Sequence, residues 1–420
     1  MEREYFDISS NINSTFSESD IYKLDTDELE FFEKMNTLFF LGQLVGLPTL
    51  KSILTKLDIS SNRLQQNYTK FYKKLTINKL RVVFEFIFEH QVTDILTRMD
   101  SKDPTIWSKK RVTAILDDSI FRQWLSKSAR ENDYYGKFFS GQYHSAVSGF
   151  KVVCFGLYID EIFHPLYFDF VKKKEGGTKN EAIEVAKRLV CRWGRLKGRL
   201  AKRGTILPTI HFSCDNGYND VSLSEQCEKQ ENGLTYISVP RRNNIFVMDD
   251  KKTTLNEFIE SEFLAGEKAH KESQKHLREE EKTAFALRKK AYYQSQKRIV
   301  TLLFFRFNGS EKVSIIYTTS LTIFAKTLRR HWFNRTYIEQ FFKTLKHVLK
   351  ISEARTRNKE GLENKILKFA FLAIELQKII KFLRRKMNPF KGKGFIALQR
   401  ILCSEQEIIT LLQRQVDLIH

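Results

Sequence analysis

The chain has 420 residues, 42% hydrophobic and 13% aromatic, enough to bury a sizeable core in about two or three structural units. Its 71 Lys+Arg against 50 Asp+Glu leave a formal net charge of +21, which favours a polyanionic partner such as nucleic acid or an anionic surface. No apolar run approaches the roughly 20 residues that span a bilayer, and the opening MEREYFDISS is acidic and polar where a signal peptide is basic and then apolar, so a cytoplasmic protein without membrane partners is expected.

Five cysteines, Cys154, Cys191, Cys214, Cys227 and Cys403, lie far apart without CxxC or Cys/His pairing. Neither a zinc site nor a disulfide framework is signalled, and a reducing compartment fits. The histidines are scattered and repeat at no metal-ligand spacing.

In chain order, residues 1 to about 25 lack apolar periodicity, and about 28 to 105 read as helical. Within that region, LPTLKSILTKLDISSNRLQQNYTKFYKKL carries two apolar-periodic segments around a short turn. The pattern suits a helical hairpin with a basic face or a helix-turn-helix. RVTAILDDS predicts a strand ending in two acids, and FKVVCFGLYIDEIFHPLYFDFV predicts two strands turning near Asp160-Glu161. EAIEVAKRLVCRWGRLKGRLAKRG reads as an amphipathic helix closed by Gly204, and PTIHFSCDNG as a short strand ending at an acid. TYISVPRR is another strand. From about 252 to 298 the charge density predicts an exposed helix or helical pair, inserted before a hairpin, VTLLFFRF and KVSIIYTT, that turns at Asn308-Gly309. Helical patterns fill the remainder. Strands, helix and strand together predict an α/β class.

The chain then divides into a helical region 1–105, a first core part 106–225, a charged insertion 226–300, a hairpin and helix 301–355 and a helical region 356–420. The helix HWFNRTYIEQFFKTLKHVLK raises a question of chemistry. At about 100° per residue, Arg335, Glu339, Lys343, Lys346 and Lys350 fall within about 60° of Trp332, while Ile338, Phe341, Phe342, Leu345, Val348 and Leu349 lie opposite. The apolar face should pack inward and leave one acid among cations. Upstream, Asp118 in LDDS and Asp215 in SCDNG end strands, where acids of an open α/β sheet face a ligand crevice. Three such carboxylates suit two divalent ions about 3.5 to 4 Å apart, acting on phosphorus, with Mg²⁺ or Mn²⁺ preferred by oxygen ligands. Asp117 competes with Asp118, since strand alternation sends the two to opposite faces. Asp220 is a rival to Asp215, and His211 and Cys214 read as core residues. Arg241 and Arg242 suit either DNA contact or a solvated turn.

These residues resemble the DDE transposases of bacterial insertion sequences, in the group called insertion-sequence family four. Asp118 in DDS, Asp215 in CDNGY, and Arg335, Glu339 and Lys346 follow its signature of Tyr, two residues, Arg, three residues, Glu, six residues, Lys. Trp332 takes the tyrosine place. The resemblance spans about 110 to 350 and implies an RNase H-like mixed-sheet catalytic core, with an insertion before the last catalytic helix and helical regions at both ends. It implies that Asp118, the acid before the serine, joins Asp215 and Glu339 as catalytic residues and ligands of two Mg²⁺ ions. It further implies double-stranded DNA as partner, bound by Arg335, Lys346, Trp332, Lys343 and Lys350, with cleavage at element ends and joining of the 3′-hydroxyls to target DNA. A homodimer would hold two ends together. The family's insertion is β-rich, whereas this one reads as helical.

Overall fold

A computed structural model describes residues 50–59, 63–67, 77–100, 112–122, 133–140, 144–173, 179–276, 284–307 and 310–349, with isolated positions in 34–42, at 70, and in 351–381 and 409–417. The chain divides into two compact units. One comprises Met1–Asp94, Phe121–Phe150 and Gln340–His420, and the other Ile95–Ile120 and Lys151–Glu339.

In the first unit, helix α1 (Leu50–Lys56) stops at Asp58, whose backbone is left-handed at φ 54. The amides of Leu57 and Ile59 return to the carbonyls of Ile53 and Leu54, which satisfies the helix end. Leu50, Ile53, Leu54 and Leu64 pack with Met35, Leu38, Leu412 and Val416, so residues from both ends of the chain share one apolar cluster. Helix α2 (Ile77–Asp100) follows. Strands β1 (Thr113–Arg122), β2 (Tyr135–Ser140) and β3 (Ser145–Ile159) come next; β2 and the opening of β3, which pair antiparallel, belong to this unit, while β1 up to Ile120 and β3 from Lys151 belong to the second.

The second unit is built on a large mixed sheet. Strand β4 (Ile162–Phe170) folds back on β3 through Asp160-Glu161, both at positive φ (49 and 71), the geometry that matches a two-residue turn to strand twist. Helix α3 (Lys179–Lys202) closes at Gly204, at φ 89, and leads to β5 (Ile210–Cys214). The helix α4 (Val221–Glu228) and strand β6 (Leu234–Ser238) follow. β5 is parallel to both β1 and β6. The architecture is mixed α/β.

The sheet continues through β7 (Ile245–Met248), β8 (Lys251–Thr254), β9 (Ala286–Tyr293), β10 (Arg298–Arg306) and β11 (Val313–Thr318), in the order β6-β11-β10-β9-β7-β8 with antiparallel neighbours. Residues 252–298 therefore match the helical expectation in their first part and depart from it in their second. Among the described residues Leu255–Ser273 is helical, as α5 (Leu255–Phe258), a π-helical turn Ile259–Phe263 and α6 (Leu264–Ser273), and Gln294–Gln296 forms a 3-10 turn. ALRKKAYY is a strand because Ala291 and Tyr293 are buried against its neighbours, while Ala286, Arg288, Lys290 and Tyr292 alternate outward. Among its described residues the insertion thus mixes a helical segment with strands. The hairpin β10–β11 stands as expected, although its Asn308-Gly309 turn lies outside the described residues. The acids of LDDS also fall within β1, which runs on to Arg122 instead of ending at them.

Phe155 stacks on Tyr167 and Phe212 and leans on Trp193, so β3, β4, β5 and α3 share one aromatic core. Among the described residues, no helix is long and apolar enough to cross a membrane.

Candidate active site

The final helical tract is α7 (Ala325–Asn334), α8 (Thr336–Lys343) and a π-helical turn Thr344–Val348. It is not the uniform helix that the spacing predicts. At Arg335 the backbone tightens: Arg335 N bonds Trp332 O at 3.2 Å and Ile338 N bonds Arg335 O at 3.2 Å, both three residues back. Threonine side chains flank the irregularities, Thr336 Oγ1 donating to Phe333 O and Thr344 Oγ1 to Gln340 O. Hydroxyls that compete for helix carbonyls bend the tract without glycine or proline. The apolar face still behaves as expected, with Ile338, Phe341, Phe342, Leu345 and Leu349 buried.

β1 and β5 bring two acids side by side. Their parallel register runs from Thr113↔His211 to Leu116↔Cys214, and the next residue on each strand is an acid, Asp117 and Asp215. Asp215 is exposed at the strand end, and its carbonyl accepts from Tyr218 N and Ser238 Oγ, which turns the chain sharply away.

Arg335 joins strand to helix. Its Nη1 lies 3.1 Å from Asp117 Oδ2, and its Nη2 lies 2.7 Å from Glu339 Oε1. The Asp117 and Arg335 side chains are only 14% and 15% exposed, whereas Glu339 is 40% exposed. The guanidinium also lies 4.9 Å above the Trp332 ring. Burial pushes the Asp117 carboxyl up to about 7, with Asp118 and Asp215 adding to the rise and Arg335 opposing it. Burial disfavours the charge on Arg335, but Asp117, Glu339 and Asp215 outweigh it and hold the guanidinium above its ordinary value.

Asp118 faces a different set of partners. Its Oδ2 accepts from Tyr218 Oη at 2.7 Å and pairs with Lys151 Nζ at 3.0 Å. Burial, then the Asp118 charge, pushes the Tyr218 hydroxyl well above its usual range, so it acts as a firm donor. The Tyr218 carbonyl accepts from the Tyr236 hydroxyl. Behind it, Asn219 Oδ1 accepts from Tyr317 Oη and Gln296 Nε2, and Asn219 Nδ2 donates to Tyr293 Oη. This buried polar network fixes the Asp215 loop from beneath. Asp220 caps α4, its Oδ1 accepting from Leu223 N and Ser222 Oγ, a helix-starting role.

The other residues singled out in the sequence divide by position. Trp332 packs against the cluster of Ile237, Leu303, Phe305, Ile316, Ile323 and Leu328 while supporting Arg335. Lys343 is exposed, Lys346 Nζ lies 5.5 Å from the Phe121 ring centre, and Lys350 lies outside the described residues. His331 accepts or donates at Thr113 Oγ1, 2.7 Å away, and its ring sits 4.2 Å from His211. Burial lowers His331 to about 3 and His211 to about 4, so both are neutral struts. Cys214 is buried and donates weakly to Ile237 O. Arg242 donates to Val313 O within the protein, and Arg241 is exposed. Sequence reading did not find Lys151. Its only signal is an outlying charge at the head of an apolar strand.

The oxygen donors suit a hard cation, yet among the described residues no group of three or more His, Cys, Asp or Glu side chains is arranged to hold a metal ion. The arrangement does not fit one, because the Arg335 guanidinium stands between Asp117 and Glu339.

No protein-family model matches the chain, and no curated protein matches it. Among solved structures it is similar to the piggyBac transposase synaptic complex with hairpin DNA, at 9% identity and a TM-score of 0.33, covering 96% of this chain and 80% of that one. A likeness that loose carries no weight for mechanism.

Proposed function

We propose that the protein is a DNA transposase with an RNase H-like catalytic core, cleaving DNA at the ends of its own element and joining the 3′-hydroxyls to target DNA. The observation that carries the reading is the grouping of an acid from β1, the acid following β5 and Glu339 of α8 around Arg335, on the spacing Arg, three residues, Glu, six residues, Lys. Charged groups far apart in sequence that gather in a half-buried place, one of them with a strongly raised pKa, mark a candidate functional site. The net charge of +21 supports a polyanionic substrate.

In this reading Asp215 and Glu339 are catalytic, and the first acid is Asp117. Sequence pattern favours Asp118, but it is the Asp117 side chain that shares Arg335 with Glu339, while Asp118 serves Tyr218 and Lys151. Arg335 orients the two acids through its planar fork, and Lys151, paired with Asp118 nearby, supplies a further cation for phosphate. The reaction class ordinarily draws on two Mg²⁺ or Mn²⁺ ions, which the arrangement of Asp117, Arg335 and Glu339 does not fit as it stands. Element-end and target DNA are the partners, with two copies of the chain holding two ends.

The test is incubation of purified protein with a labelled terminal inverted repeat, a plasmid target and Mg²⁺. Joined products are expected. Cleavage without joining would reduce the reading to a nuclease, and neither product would remove it.

A further inference from the structure

Helix α3 places a second cationic surface on the same unit as the candidate site. From Arg188, the residues Arg192, Arg195, Arg199 and Lys202 fall within about 40° of one line along a regular helix, covering about 21 Å. Arg188, Arg195, Arg199 and Lys202 are exposed and Arg192 is half-buried. The adjoining side, centred about 110° round the helix and carrying Val185, Ala186, Leu189, Trp193, Leu196 and Leu200, is buried. The stripe is also held in shape: Arg188 pairs with Asp169 at 3.2 Å, and the Arg192 guanidinium lies 4.2 Å from the Tyr167 ring centre.

A glycine supplies the independent observation. Helix α3 contains two, and glycine is among the poorest residues in a helix interior. Gly194 is explained within the chain, since a Cβ there would collide with Asn232 Oδ1 beside the bond from Trp193 Nε1 to Asn232 O. Gly198 is not: a Cβ there would meet nothing within 4 Å. It sits between Arg195 and Arg199 at the edge of the stripe, where a missing side chain lets a partner's backbone approach closely.

We propose that this face of α3 is a docking surface for duplex DNA, its cations tracking the phosphate backbone and Gly198 marking the point of closest approach. The inference takes from the proposed function only the identity of the polyanion. An anionic membrane is the poorer occupant, because surface-lying helices insert an apolar face and that of α3 is spent on the core. DNA gains from the release of counterions at each neutralised phosphate, so binding here carries a salt dependence of its own.

The experiment is fluorescence anisotropy of a labelled duplex with the wild-type chain, Arg195→Gln/Arg199→Gln/Lys202→Gln, and Gly198→Ala, each checked by thermal unfolding. For the triple variant the expected result is an affinity at least tenfold lower and a log–log salt slope shallower by about 2 to 3, since each lost phosphate contact removes about 0.9. Gly198→Ala should unfold at a higher temperature yet bind several-fold more weakly. Unchanged affinity and slope in the triple variant overturn the surface, and unchanged affinity in Gly198→Ala overturns the close approach. A triple variant that keeps duplex affinity but loses binding to phosphatidylserine vesicles overturns the choice of DNA. If the wild type neither cleaves nor joins DNA but the triple variant still loses duplex affinity, the catalytic reading fails and the surface stands.

Discussion

Helix α3 and the tract Ala325–Val348 begin from the same kind of sequence, an apolar face backed by a row of cations, and finish with different physics. In α3 the backbone stays regular from Lys179 to Lys202, and its cations spread along one solvent-facing line. In the later tract the ladder tightens at Arg335 and loosens at Thr344, and its central cation turns inward to two carboxylates. The regular helix presents charge to a partner. The irregular one uses charge to assemble a site, and the acid in its basic row is what recruits the arginine. A row of cations therefore says little about role until its counter-charges are located.

The largest expected effects lie in the inward-turned cluster. Asp215→Ala or Glu339→Ala should lower DNA joining by about 10³-fold or more, as for residues that act as one catalytic unit. The same chains should keep most of their duplex affinity, because the α3 stripe is untouched. If joining persists in both variants, the cluster is not the site and the contrast between the two helices collapses.

Removing the bridging cation comes next. Arg335→Ala removes the group that holds down the Asp117 pKa, so Asp117 should take up a proton at neutral pH and the chain should lose about 1 to 3 kcal/mol of stability in chemical denaturation, from the hydrogen bonds lost at Asp117 and Glu339. Arg335→Lys should recover only part of this, since an ammonium cannot span Asp117 and Glu339 as the fork does. Full recovery by lysine would mean that charge alone, without the fork's geometry, holds the cluster.

Asp117 also carries a pH signature. Its folded pKa of about 7 stands above the unfolded value of 3.8, so the native state keeps a proton that the unfolded chain has lost. Stability is then highest below about pH 4 for this group, and falls as pH rises towards 7. Asp117→Asn removes that slope. The change in relative stability between pH 4 and pH 8 should be at most about 4 kcal/mol, from about 1.4 kcal/mol per unit. Parallel denaturation profiles for the two chains would show that Asp117 is not so perturbed.

The smallest effect tests the cause of the irregularity. Thr336→Val removes the hydroxyl that takes the Phe333 carbonyl while keeping the shape. It should change stability by less than about 1 kcal/mol, yet shift the Arg335–Asp117 contact and lower joining several-fold. A variant with unaltered joining would place the cause of the kink elsewhere.

Much of the fold was legible where periodicity and turn chemistry agree. The β3–β4 hairpin announces itself by two apolar runs around Asp160-Glu161, and α3 by its 3.6-residue period. ALRKKAYY was misread because the open side of β9 is covered by long cations that conceal its two-residue alternation and continue the charge of the preceding helix. LDDS looked like a strand end because two acids usually leave a sheet, whereas here each has a protein partner and β1 continues. In the proposed site, Asp215 and Glu339 are nominated by the resemblance. The choice between Asp117 and Asp118 is not legible in the sequence, since it depends on Arg335, 218 residues away from Asp117, and on Tyr218, 100 residues away from Asp118. Contacts across such separations leave no local trace.

The most direct test of the account is the joining reaction run side by side with Asp117→Asn and Asp118→Asn. The predicted result is loss of cleaved and joined products with Asp117→Asn, and retention within about tenfold with Asp118→Asn, which disturbs Tyr218 and Lys151 but leaves the acids around Arg335 in place. Full activity of Asp117→Asn with an inert Asp118→Asn would contradict the assignment.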